Sequence, residues 1–237
     1  MPPSFPPRGR VKSRPAVSGA RSKGSWLRET ALVVVIALVL SVVLKTFFIQ
    51  SFYIPSVSME DTLQVNDRIM VNKLATSDLA GGDVVVFTDP GGWLTEETTQ
   101  TSGFLGVVDD VLTFVGLLPH DAGEHLIKRI IGMPGDTVEC CTTDGRLTVN
   151  GVAIDEPYLK DGVAPSETTF SVQVPEGHVW VMGDNRSNSR DSRAHLGDAG
   201  GGFVPIENIT GRAFVITWPL SRITTLGGGR SAFAAVP

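Results

Sequence analysis

Four short blocks carry the residue types for chemistry, in the order PSVSMEDTL (55–63), GDVVVF (82–87), KRIIGMPGD (128–136) and GDNRSNSRDSR (183–193). The first holds Ser56 and Ser58, two apart, so in an extended segment their side chains project to the same side. The third opens on Lys128 inside an apolar run. In a strand alternate residues share a face, which places Lys128 with Leu126 and Ile130 and turns Arg129 the other way. A serine hydroxyl is a weak nucleophile that needs a base within hydrogen-bond reach. A lysine can be that base only if it is neutral, which requires desolvation to pull its pKa down from about 10.4. Singly the blocks say less: a serine following proline is ordinarily a turn or helix cap, and GDVVVF a buried strand after a turn.

Other chemistries have no sequence support. There is no G-x-S-x-G elbow, no H-E-x-x-H, no phosphate loop and no dinucleotide fingerprint. His120, His125, His178 and His195 lack metal-like spacing, so no metal or cofactor is expected. Cys140 and Cys141 are adjacent; trans Cα atoms lie about 3.8 Å apart, short of the usual disulfide separation, so a bridge between them is expected to be strained. They read as a buried or redox-labile pair.

The elements that must position these blocks are mostly short strands, at 68–71, 83–87, 125–131, 146–149, 170–174, 178–182 and 211–217, separated by turn signals such as Gly81-Gly82, Asp144-Gly145 and Asn150-Gly151. That spacing predicts antiparallel sheets rather than βαβ units. Residues 1–45 carry eight Lys/Arg against Glu29 alone, a charge of +7, while the whole chain carries −5. A basic head could be a nucleic-acid arm, but it runs directly into an apolar stretch, Trp26 to Phe48, long enough to span a bilayer core. The domain organisation expected is therefore a disordered basic tail (1–25), a transmembrane helix (26–48) and an extracytoplasmic domain (49–237), the last containing a small β subdomain at about 137–178. The basic flank marks the cytoplasmic side. A cleavable signal peptide would have a shorter apolar run ending in a small-x-small site, and none is present. Residues 103–118 show helical periodicity, with Phe104, Val107, Val108, Val111, Leu112, Phe114, Val115 and Leu118 on one face. Its polar face carries acids, which anionic lipid would repel, so packing on the β core is favoured over membrane contact.

The ordered set of blocks behind an apolar anchor resembles the type I signal peptidases over roughly residues 26–220. The resemblance implies a mainly β, antiparallel catalytic domain of signal-peptidase type preceded by one transmembrane helix, in a serine endopeptidase of the plasma membrane that works without cofactor or metal. It implies Ser58 as nucleophile, Lys128 as general base, and Ser56 with the Ser58 N–H as the oxyanion hole. Ser189 is implied to orient the lysine, and Asp191 and Arg193 to form the ion pair holding that wall. Substrate-pocket positions matching the family are Phe52, Ile54, Pro55, Met59, Leu63 and Ile127. The expected partners are signal peptides of secretory preproteins cut after small-x-small sites, together with membrane lipid and the export machinery nearby; nucleic acid is not among them. Two alternatives share these features: an organellar inner-membrane or thylakoid processing peptidase, and an inactive homologue that binds signal peptides. A Ser/His enzyme of the endoplasmic reticulum type is disfavoured, because Lys128 stands where that class has histidine. Two positions depart from the family pattern, Asp61 where proline is frequent and Ser187 where aspartate is frequent.

Overall fold

In the computed structural model the described residues are 23–94, 125–160 and 162–237. The expected helix at 103–118 lies outside them. The chain divides between Leu40 and Ser41 into two units. A 25-residue helix, α1 (Lys23–Phe47), runs across that boundary. Its large apolar side chains from Leu32 to Leu40 are exposed. The side chains described in α1 are those of Trp26 and residues 28–43, and among the described residues no helix is long and apolar enough to cross a membrane.

The unit beginning at Ser41 is built on two antiparallel sheets. The large one has the strand order β1-β2-β11-β3-β4-β9-β10, with β12 on β11. Its strands are β1 (Ile49–Tyr53), β2 (Arg68–Asn72), β3 (Val84–Thr88), β4 (His125–Gly132), β9 (His178–Met182), β10 (Val204–Pro205), β11 (Ile209–Trp218) and β12 (Thr224–Thr225). The small one has the order β7-β6-β5-β8, from β5 (Thr137–Cys140), β6 (Leu147–Val149), β7 (Val152–Ala153) and β8 (Phe170–Gln173).

Alternation explains the layering. In β3, Val84 and Val86 join an apolar cluster with Phe52, Ile69 and Ile216 on one side, whereas Val85 and Phe87 join Ile130, Val179 and Val181 on the other. A strand buried on both faces reads as a continuous apolar run, as VVVF does. In β9, Val179 and Val181 serve that second cluster while Trp180 and Met182 face a third, with Ile131 and the small-sheet residues Val138, Leu147 and Val149. Each such side chain contributes about 1.5–3 kcal/mol on burial. Strand β9 therefore ties the two sheets together, and the block 183–193 leaves directly from its end.

Tight turns need glycine at two places that matter for the site. Gly82 has φ +90°, and a Cβ there would collide with the backbone of Gly229. Gly183 would place a Cβ 2.4 Å from the Ser58 carbonyl oxygen, so only glycine lets the last block approach the first. Cys140 and Cys141, between which the trans spacing predicts a strained bridge, are joined by a disulfide, with Cα atoms 3.0 Å apart instead of that spacing.

Candidate active site

Strand β1 delivers the chain into a turn at 57–62 closed by Glu60 N–H to Val57 O (3.0 Å) and Leu63 N–H to Met59 O (2.7 Å). That turn presents Ser58 toward β4. On β4, Lys128 pairs in register with Val85 of β3. The Lys128 Nζ lies 2.7 Å from Ser58 Oγ and also donates to the Ile127 carbonyl at 3.1 Å. Both side chains are sheltered: Lys128 is 3% exposed and Ser58 8%. Burial pushes the Lys128 ammonium down to about 8, against the opposing pull of the Asp191 and then the Asp184 carboxylate. A buried lysine with depressed basicity, in hydrogen-bond reach of a serine hydroxyl, is an activated nucleophile pair.

Ser56 Oγ stands 3.3 Å from Ser58 Oγ, on the same side as expected from their spacing. The Asp191 carboxylate accepts from Arg193 Nε at 2.9 Å and Nη2 at 2.8 Å, and from the Gly183 N–H at 2.9 Å. Burial alone would raise the Asp191 carboxyl; Arg193 and these donors hold it below the ordinary range. Ser189 Oγ is buried beside Gly183 without a hydrogen-bond partner among the described residues, and the lysine's own hydrogen bonds go to Ser58 and Ile127. Of the six pocket positions, Phe52, Ile54, Met59, Leu63 and Ile127 fall in a single apolar cluster, and Pro55 is exposed at its edge. Phe52 and Leu63 are fully buried, so they can floor a pocket and not wall it.

Several residues that hold the site were given no role from sequence. Asn185 clamps the nucleophile turn, its N–H donating to Ser58 O (3.1 Å) and its Nδ2 to Val57 O (3.0 Å). Arg129, turned away from the lysine as alternation predicts, meets Asp184 through Nε (2.9 Å) and Nη2 (2.6 Å), with both side chains at 2% exposure or less. Thr62 Oγ1 donates to the same carboxylate at 2.5 Å. Asn185, Arg129 and Asp184 lie inside the quoted blocks, beside the residues singled out, and that adjacency was the available signal. Asp61 has φ +81°, which a proline ring fixed near −65° could not adopt, so its departure from the family pattern is a change of backbone and not only of side chain. Ser187 is exposed and reaches only Asn185 Oδ1, at 3.5 Å. Among the described residues no cluster of His, Cys, Asp and Glu could hold a metal.

The family profile described as signal peptidase, peptidase S26, matches residues 27–218. A probable signal peptidase I of Mycobacterium leprae is 40% identical over 88% of this chain and 82% of its own length. The signal peptidase I of Mycobacterium tuberculosis is 42% identical over 85% of this chain and 76% of its own. A crystal structure of a signal peptidase I from Enterococcus faecalis aligns at 25% identity and a TM-score of 0.36, over 56% of this chain and 95% of that one. With the profile covering residues 27–218 and the two mycobacterial relatives matched over most of their length, the chain belongs to the signal peptidase family, peptidase S26.

Proposed function

We propose that this protein removes signal peptides from secreted preproteins as a membrane-anchored serine endopeptidase, with Ser58 as nucleophile and Lys128 as general base. The observation that carries the reading is the 2.7 Å contact between Lys128 Nζ and Ser58 Oγ, with the lysine buried and its pKa pulled down to about 8. Neutral Lys128 takes the Ser58 proton as Oγ attacks the scissile carbonyl. The oxyanion is received by the Ser58 N–H and Ser56 Oγ, a donor arrangement of a kind worth about 3–4 kcal/mol of transition-state stabilisation. The protonated lysine then gives its proton to the leaving amine, and the acyl-serine is hydrolysed by water that Lys128 deprotonates. Asp191 and Arg193, with Ser189 packed against them, hold the wall behind the lysine.

The substrate binds as an extended strand, its main chain supplying affinity and small side chains at −1 and −3 supplying selectivity. The floor formed by Phe52, Ile54, Met59, Leu63 and Ile127, with Pro55 at the rim, supports shallow pockets of that kind. The anchor is read from the apolar run between Trp26 and Phe48. The basic residues before it favour a cytoplasmic N-terminus and an outward-facing catalytic unit close to lipid and to the export machinery.

The test is incubation of the purified protein with a preprotein, reading the new N-terminus by mass spectrometry. A single cut after a small-x-small site, absent with Ser58→Ala, is expected. A product that persists in that variant would overturn the assignment.

A further inference from the structure

Behind the dyad lies a group of buried charges that reaches beyond the four blocks. Glu156, on the loop after β7, is 3% exposed at its side chain and receives Arg186 in two contacts, Nη2 to Oε1 at 2.5 Å and Nη1 to Oε2 at 3.0 Å. Arg186 also donates to Gly183 O and Pro165 O, each at 3.0 Å, so it fastens the loop to the start of the last block. Tyr158 links this pair to the next. Its hydroxyl donates to Glu156 Oε1 at 2.8 Å, and its ring lies 3.9 Å from the Arg129 guanidinium carbon. Arg129 in turn holds Asp184, one of the two carboxylates whose field acts on Lys128.

Two buried arginines, Arg129 and Arg186, and the partly buried Arg193 thus face three buried carboxylates, Asp184, Glu156 and Asp191. The other charges near Glu156 are on the solvent side: Asp155 and Arg146 pair with one another in the open, and Lys160 lines the same shallow cleft. Water screens those, but not the buried set. We propose that Glu156 is a positioning residue of the peptidase reaction: by neutralising Arg186 it leaves Asp184 committed to Arg129 and fixes the field in which Lys128 takes the serine proton. Glu156 and Tyr158 touch no reacting atom and act only through Arg186 and Arg129.

The inference rests on Lys128 being the base, and the experiment separates the two. Rate profiles against pH are measured on a preprotein substrate for the full-length protein and for Glu156→Gln, Arg186→Met, the double variant and Glu156→Asp. Losing the carboxylate leaves a buried positive charge that disfavours protonated Lys128, so the rising limb of Glu156→Gln moves to lower pH by about half a unit to one unit. Arg186→Met leaves a negative charge and moves it to higher pH. The double variant returns to the wild-type midpoint, and Glu156→Asp, which keeps the charge, stays there. Unmoved midpoints, or shifts of the same sign in both single variants, would overturn the proposal, because loss of packing has no sign. If Glu156→Gln does not fold, a displaced limb in Glu156→Asp overturns it instead. A wild-type profile without a rising limb would reject the lysine base itself.

Discussion

The small sheet packs against one face of β9 in the large sheet, yet the two bury different chemistry. Around the large sheet and the block leaving β9, the interior holds Lys128, Arg129, Asp184, Arg186 and Asp191, all at 3% exposure or less. The small sheet buries Val138, Leu147 and Val149 with Trp180, and its only buried polar side chain is Thr148. Its charges, such as Arg146, Asp144 and Asp155, are on the outside. A cavity of about 530 Å³ opens there beside Cys140, Cys141 and Phe170; its lining includes Ser171, whose hydroxyl donates to the Glu139 carboxylate at 2.9 Å on the exposed side of the sheet. Burying an ion costs several kcal/mol that its partner must offset. The large sheet carries that cost where a neutral lysine is needed; the strands of the small sheet avoid it, and among the described residues the only charge buried on their side is Glu156, on the loop after β7, against Arg186.

The contrast breaks most completely at the dyad. Ser58→Ala and Lys128→Ala should each lower cleavage about a thousandfold or more while the thermal unfolding transition persists, because they remove the attacking group or the base and little core volume. Wild-type turnover in either variant would refute the assignment. Next in size is the effect of pH. Only neutral Lys128 accepts the serine proton, so the rate should rise with pH to a plateau above about 8 and fall about tenfold per unit below it. The linked stability has the same sign. Between about 8 and the ordinary lysine value of 10.5 the unfolded chain holds a proton that the folded chain has released, so unfolding free energy should increase across that window, and Lys128→Met should flatten the slope.

Stability variants sharpen the comparison. Asp184→Asn leaves Arg129 charged, buried and unpaired, and should cost about 3–5 kcal/mol in urea unfolding together with most of the activity. Leu147→Ala in the small sheet should cost a comparable or smaller amount, about 2–5 kcal/mol, through the cavity it opens. At temperatures where it remains folded, its pH midpoint should match the wild type. Equal displacement of the rate profile by both variants would mean that the small sheet contributes to the field at the dyad after all.

Much of this division was legible in the sequence. Seven strands fall close to their expected positions, because period-2 patterns and Gly-Gly or Asn-Gly turns leave little choice of register. The five not expected were short or weakly patterned: β7, β10 and β12 are two residues each, β5 is four, and β1 continues the apolar run of α1 without a break signal. At the site, the two-residue spacing of Ser56 and Ser58 and the alternation separating Lys128 from Arg129 both survive in three dimensions. What sequence could not supply was partner choice across the fold. Nothing local tells Glu156 that it will meet Arg186, 30 positions later, or Tyr158 that its ring will lie under Arg129. Such pairs are set by where β9 and the loop after β7 converge, which depends on the packing of both sheets.

The smallest effect expected is at Arg146, and it tests whether burial, not charge pairing as such, separates the two regions. Its guanidinium contacts Asp144 at 2.8 Å and Asp155 at 3.2 Å, within about 0.3 Å of the 2.6 and 2.9 Å in the Arg129 pair. Distance alone would rank the two pairs together. Exposure separates them: the Arg146, Asp144 and Asp155 side chains are 43%, 58% and 86% exposed, against 2% and 0% for Arg129 and Asp184. In water the attraction is screened, and ordering two long side chains offsets most of what remains. Arg146→Ala should therefore leave the melting midpoint within about 2 °C of wild type. The pH profile of cleavage should coincide with that of the unaltered protein at low and high salt alike. A salt-sensitive loss of activity in this variant would show that surface charge on the small sheet reaches the dyad, and the line drawn between the two sheets would have to move.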